Sequence, residues 1–414
     1  DGVAPCRQLA LAIGRRGTHH VRACEYVESL PYLDRANAMG REIGDNEVVS
    51  RALSNKGVAT WFLGQHAGAQ NLIRESLQVA LAHDLEDSVA RNYQTLAWSY
   101  FMDQDLVEAH AQLEEAERYT AERDLHGQLL CVLASEISLK VALGRWDEAA
   151  AQAHDLLYVR NTGRASRIEP LVALGLLSAR RGDADGVWGP LDEARDHIGK
   201  SQSLNYQGFI ALARGEVYLL DGDIERIRTE VLPWYEEAVR VGEEDYVADL
   251  AMMVWRAGLI VEPPEGLREP ARLAMTGNHR QAAATFASNN MPYKAAWALL
   301  DSDDEIDLRE ARAMFDRLGA KALVERTDAK LRAIGAKVPR GPRPSTRANV
   351  GGLTDREMEV LDLLDGGLRY AEIAAKLHLS EKTVGNHVSA ILAKLQVSSR
   401  LEAVRRARDL TAVG

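Results

Sequence analysis

Lys382, Asn386, Ser389 and Ala393 recur at intervals of four, three and four residues. At about 100° per residue this spacing sets them along one stripe of a helix. Val384, Val388, Ile391, Leu392 and Leu395 fall on the other side. A helix that is dry on one face and short-chained and polar on the other fits the major groove of duplex DNA. There Asn386 can pair bidentately with adenine, and Lys382 can reach guanine or phosphate. Small residues at Gly385, Ser389, Ala390 and Ala393 let such a helix seat deeply. Elsewhere the chain offers little chemistry: it has no G-x-x-x-x-G-K-[ST] phosphate cradle, no G-x-S-x-G elbow, no H-E-x-x-H pair and no paired-carboxylate constellation. His19-His20 and the scattered carboxylates suggest no ligand geometry, and Cys6, Cys24 and Cys131 lack the paired spacing of a zinc site. These residues predict no enzyme, no cofactor and no metal site.

The elements that must hold the polar stripe are also legible. Thr354 and Glu357 have the spacing of a capping box, in which each side chain satisfies the other's backbone N–H, and Leu353 can staple onto Met358. A helix is therefore expected from Asp355, with Met358, Val360, Leu361 and Leu364 inward, until Gly366-Gly367 stops it. A second short helix over 370–377 presents Ile373, Ala374 and Leu377. His378-Leu379-Ser380 then makes a tight turn, with Ser380 as N-cap of the third helix and Glu381 near the positive end of its dipole. Two helices joined by a three-residue turn form a helix-turn-helix. On geometry alone, a small helical bundle with no role on DNA stays open.

The stretches Leu353-Thr-Asp-Arg-Glu357-Met-Glu-Val360-Leu361, Gly367-Leu-Arg-Tyr-Ala-Glu372-Ile373-Ala374, Leu379-Ser380-Glu-Lys-Thr383-Val384-Gly-Asn-His387-Val388 and Lys394-Leu395-x-Val397-x-Ser399-Arg400-x-Glu402-Ala403 resemble the LuxR-type DNA-binding domain nearly end to end. The resemblance implies four helices, with 382–395 as the recognition helix and 399–410 as a C-terminal helix often used for dimerisation. It also implies that Thr383 and Lys394 lie near phosphate, and it sets His387 beside the recognition face, in a structural or a base-reading role. The candidate DNA-binding residues are then Ser380, Lys382, Thr383, Gly385, Asn386, His387, Ser389, Lys394 and Arg400. Two departures stand out. Gly385 occupies a position where many members carry Lys or Arg, and Arg369-Tyr370 replaces the small polar cap of the second helix.

From residue 50 to 335 a second pattern recurs: a helical stretch ends at a Gly or polar turn, and a small or aliphatic residue follows five positions later. The copies are Gly64 with Ala69, Gln104 with Ala109, Gly144 with Ala149, Gly182 with Val187, Gly222 with Ile227 and Gly277 with Ala282, at spacings of 40, 40, 38, 40 and 55. A period near 40 with two helices per unit predicts an α-solenoid. The 55-residue interval contains Pro263, Pro264, Gly266 and Pro270, so an irregular insertion is expected there. A last helical pair over 308–318 and 321–334 pivots on Gly319. This region resembles the tetratricopeptide-like repeats of large bacterial regulators of the maltose-activator type, and a solenoid's concave surface commonly binds a peptide, a protein or a small effector. Trp61, Trp98, Trp146, Trp234 and Trp297 are candidates for lining such a surface, although aromatics at helical spacing more often form core. Regulators with this arrangement often begin with a nucleotide-binding ATPase. The chain opens on Asp1 rather than Met, which leads us to expect that something upstream is missing and, if so, that an ATPase is the candidate for it.

Charge divides the chain in the same way. Residues 336–414 carry 13 basic and 9 acidic residues, +4, whereas the remaining 37 basic and 52 acidic residues leave −15 on the first 335. One basic module on an acidic body is the pattern of a protein that meets a polyanion at one place. The expected fold is all-α: a tetratricopeptide-like α-solenoid over 1–335, a flexible basic linker over 336–352 holding Pro339, Pro342, Pro344, Arg340, Arg343 and Arg347, and a four-helix LuxR-type domain over 353–414. The apolar run over 171–179 is about half of what a membrane span needs, so no membrane contact is expected and a cytoplasmic setting is. The partners called for are double-stranded promoter DNA, a second copy of the chain on it, RNA polymerase, and an unidentified effector or protein on the repeats. A repeat scaffold with a secondary or vestigial DNA-binding tail is the alternative.

Overall fold

The computed structural model describes residues 4–159, 163–199, 204–338, 349, 353–395, 397 and 399–413. Among the described residues the secondary structure is helical, without strands, and no helix is long and apolar enough to cross a membrane. The chain divides into two compact units, Asp1–Ala336 and Lys337–Gly414. Almost all of the linker expected over 336–352, with its three prolines and Arg340, Arg343 and Arg347, lies outside the described residues.

The first unit is a stack of antiparallel helix pairs that begins at Arg7–Arg22, well ahead of the repeats read from residue 50. Each of the six turn residues named from sequence adopts the left-handed conformation, with φ between +61° at Gln104 and +83° at Gly277. The turn at Gly64 shows the closure: Gln65 N–H donates to Thr60 C=O at 3.2 Å and Gly64 N–H to Trp61 C=O at 2.8 Å, satisfying carbonyls that a helix end leaves open. The residues five positions on are buried in every copy; Ala69, Ala149, Ala282 and Ile227 are 0% exposed.

Four of the first seven turns were not read from the sequence. Left-handed residues fall at Cys24, Gly44, Gly64, Asp84, Gln104, Asp124 and Gly144, each 20 residues after the last. Four of these seven are not glycine, and the alternate turns lead to buried Val49 and Val89 rather than to alanine. Turns thus recur every 20 residues in this stretch, two to each 40-residue helical pair. The proline-rich segment between Arg256 and Ala271 is irregular, as its composition predicts, and the final pair is Glu305–Leu318 and Lys321–Ala333 about Gly319.

The stack bends back on itself. Tyr26 donates its hydroxyl proton to Glu243, Asn289 Nδ2 donates to Gln104 Oε1 at 3.3 Å, and Arg326 Nη1 donates to Leu219 C=O at 2.7 Å. Residues up to 217 positions apart thus meet, which encloses the inner surface of the superhelix.

The second unit packs four helices, Asp355–Asp365, Tyr370–Leu377, Glu381–Leu395 and Arg400–Val413, around a core of its own that includes Leu353, Val360, Ile373, Val384, Val388, Ile391 and Ala403. Its burial is local to the tail, as a separately packed module requires.

Candidate nucleic-acid interface

The first tail helix begins as the residues dictate. Glu357 N–H donates to Thr354 Oγ1 at 3.2 Å, and Thr354 N–H donates to Glu357 Oε2 at 2.7 Å. Leu353 is fully buried and Met358 packs against the same core. The second helix ends at His378, whose φ of +54° reverses the chain, and Thr383 N–H donates to Ser380 Oγ at 3.1 Å to cap the third. Arg369 offers no side-chain cap to the second helix, but Glu372 accepts from the Arg369 N–H at 2.7 Å, so that end is partly satisfied after all.

The third helix is held through one stripe. Val384 and Ile391 are 0% exposed and Val388 is 3%. Lys382, Asn386, Ser389 and Ala393 are exposed on the opposite side, and Thr383, Gly385 and His387 flank them half-buried. Ser389 Oγ donates to Gly385 C=O at 3.0 Å, which leaves its lone pairs available. Arg400 is exposed at the start of the fourth helix, where Ser399 and Glu402 form another reciprocal cap: Ser399 N–H donates to Glu402 Oε2 at 3.2 Å and Glu402 N–H to Ser399 Oγ at 3.3 Å. The structure brings Ser380, Lys382, Thr383, Asn386 and Ser389 onto one helix and its cap, and sets Lys394 and Arg400 toward and beyond its far end.

Lys394 has a partner that its position in the motif did not announce. Its Nζ lies 2.6 Å from Glu357 Oε2 and ties the third helix to the cap of the first. Burial opposes the charge on Glu357, but the Lys394 ammonium and the Thr354 N–H outweigh it and hold the carboxyl below its ordinary range. Sequence reasoning also missed Arg356, whose Nη2 donates to Leu377 C=O at 2.7 Å and locks the first helix to the end of the second. Asn349, which donates to Leu353 C=O at 2.9 Å and to Asp355 Oδ1 at 3.0 Å, was missed as well. The Arg356 contact has no signal in a one-dimensional pattern because it depends on where a different helix ends, whereas the Asn349 contacts are local, to residues four and six positions on.

Residues 352–407 match the family described as bacterial regulatory proteins, luxR family. The tail is a luxR-family domain. Similar proteins include the DNA-binding transcriptional activator DevR/DosR of Mycobacterium tuberculosis (strain ATCC 25618 / H37Rv), 39% identical over 104 residues, which are 25% of this chain and 42% of that protein. The transcriptional regulatory protein DesR of Bacillus subtilis (strain 168) is 47% identical over 57 residues, 14% of this chain and 29% of that one. The response regulator protein VraR of Staphylococcus aureus (strain NCTC 8325 / PS 47) is 52% identical over 52 residues, 13% and 25% respectively. The chain spans less than half the length of each of these relatives.

The repeat unit holds a second feature of interest, a cavity of about 370 Å³ on its inner surface. Of the five tryptophans singled out from sequence, Trp297 lines this cavity, while Trp61 and Trp146 are core residues at 1% and 3% exposure. Arg180 and Glu216 form a bidentate pair in its wall, Nε to Oε1 at 2.7 Å and Nη2 to Oε2 at 2.8 Å, and the Tyr293 hydroxyl donates to the same carboxylate at 2.5 Å. Burial disfavours the Glu216 charge, yet the pairing with Arg180 holds its carboxyl below the usual range. Among the described residues no three His, Cys, Asp or Glu side chains converge as a metal-binding group would.

Proposed function

We propose that the chain is a sequence-specific, DNA-binding transcriptional regulator whose tail reads promoter DNA and whose repeats sense an effector or a protein partner. One observation carries the reading: in a luxR-family domain, the helix Glu381–Leu395 turns Lys382, Asn386 and Ser389 outward while Val384 and Ile391 anchor it completely. In this reading the helix enters the major groove. Asn386 addresses a base edge, Lys382 reaches from the stripe to phosphate at the groove edge, Ser389 and Gly385 allow close approach, and His387 flanks the contact. Ser380, Thr383, Lys394 and Arg400 face the phosphates, with Lys394 dividing its donors between Glu357 and the backbone of DNA.

The division of labour is residues 1–335 for sensing, 336–352 as a basic tether and 353–414 for DNA. The protein acts in the cytoplasm as a homodimer on two half-sites and contacts RNA polymerase when bound. The regulatory names of the similar proteins and the +4 charge of the last 79 residues support a role for the tail on DNA. The test is selection from random duplex DNA by the full-length protein at about 0.15 M salt. One enriched motif is expected. The Asn386→Ala variant should select a degenerate form of it, losing discrimination at one base pair worth about 1–3 kcal/mol. Failure to enrich any motif overturns the reading in favour of a repeat scaffold.

A further inference from the structure

The inner cavity of the repeats has one carboxylate that its surroundings leave without a counter-charge. Other acids of the wall are neutralised in place: Glu216 by Arg180, and Asp249 by Lys294, whose Nζ lies 2.7 Å from Oδ1. Glu169 differs. Its partners are two hydroxyls, Ser138 Oγ at 2.8 Å and Ser135 Oγ at 3.5 Å, and among the described residues no cation pairs with it. It is half-buried in the wall, and the loss of water around it pushes its carboxyl up, with the two serines offsetting part of that cost. Beside these paired ions the wall also carries apolar and aromatic side chains, among them Phe209, Met252 and Trp297. A pocket of this size takes one small organic molecule, and a few polar groups in an apolar wall set which one. A carboxylate partly withdrawn from water gains most from a ligand that brings its own cation, and aromatic faces attract the same charge.

We propose that this cavity binds an apolar organic amine whose ammonium group pairs with Glu169 while its hydrocarbon part fills the space toward Phe209, Met252 and Trp297. The proposal rests on the reading of the repeats as a sensor and names the chemical class that they sense.

The test uses full-length protein and the fluorescent apolar reporter N-phenyl-1-naphthylamine, displaced by three molecules that differ only in their head: decylammonium, decanol and decanoate, all below their micelle concentrations. Decylammonium should displace the reporter at a concentration at least tenfold lower than the other two. In Glu169→Gln, where the amide still meets both serines, the preference should fall to within twofold. The ranking in wild-type protein stands alone if the variant does not fold. Equal displacement by the three, a preference for decanoate, or an amine preference that survives in Glu169→Gln each overturns the assignment of Glu169, and a reporter that does not bind overturns the cavity as a site. The sensing reading is judged apart from this, by whether decylammonium changes affinity for the selected DNA motif. An amine preference lost in Glu169→Gln supports the site even when DNA affinity does not move, and in that case only the sensor reading falls.

Discussion

At the scale of single residues, the tail shows how one side chain can serve both folding and function. Glu357 closes the first helix's capping box and also pairs with Lys394. Because its folded pKa lies below the ordinary value, its stabilising effect is present above about pH 4.5 and is lost as pH falls through the folded pKa. Glu357→Gln keeps a cap acceptor but removes the charge. Hydrogen exchange of tail amides in the full chain should therefore show a smaller loss of protection on acidification below about pH 4.5 than in wild-type protein. Equal acid sensitivity in the two would refute the role of the pair. Gly385 makes a different point. A Cβ built there meets nothing within 4 Å and its backbone is helical, so packing does not require glycine. Gly385→Ala should stabilise the tail by up to about 1 kcal/mol in chemical denaturation. If DNA affinity falls at the same time, the missing side chain is a requirement of the groove rather than of the fold.

At the scale of elements, the repeats depend on the closeness of helix axes. Gly57, in the helix Asn46–Phe62, faces the next helix so tightly that a Cβ would stand 2.5 Å from Ile73 Cγ1 and 3.0 Å from Ala69 C=O. Alanine would gain about 1 kcal/mol of helix propensity, while forcing a methyl into a filled contact costs about 1–3 kcal/mol. Gly57→Ala should thus lower the urea midpoint of the repeat unit, and an unchanged or higher midpoint would show that the pair can slide apart freely. The tail helices use the opposite device. Large side chains such as Ile391 and Val384 fill one small core, and the polar stripe of the third helix is displayed because the apolar stripe fixes its rotation.

At the scale of the whole molecule, charge is partitioned, +4 on the last 79 residues and −15 on the rest. Tail cations already engaged within the fold include Lys394 with Glu357, Arg408 with Asp365 and Arg356 with Glu359. Lys382 is exposed on the stripe. Each phosphate neutralised by such a group adds about 0.9 to the slope of log affinity against log salt. Lys382→Ala should therefore flatten that slope by about 0.9 per bound protomer when the full-length chain is titrated with its selected motif, and an unchanged slope would place Lys382 away from phosphate.

Much of this was legible in the chain because its causes are local. The capping box at Thr354 and Glu357, the cap at Ser380, the glycine stop after Asp365 and the two-sided third helix depend on residues within a few positions of one another, so sequence alone determined the tail's helices and which face would be displayed. The 40-residue period likewise set the helical-pair architecture, and the left-handed turns at Gly64, Gly144 and their counterparts followed from backbone sterics. The turns at Cys24, Asp84 and Asp124 stayed hidden, since a packed stack can hold a non-glycine residue in a conformation its own preference does not announce. The partner of Lys394, the contact of Arg356 with the end of another helix, and the cavity with its unpaired Glu169 were decided by tertiary structure alone. The two contacts join groups 37 and 21 residues apart, the cavity is lined from Phe101 to Trp297, and no local propensity encodes such separations.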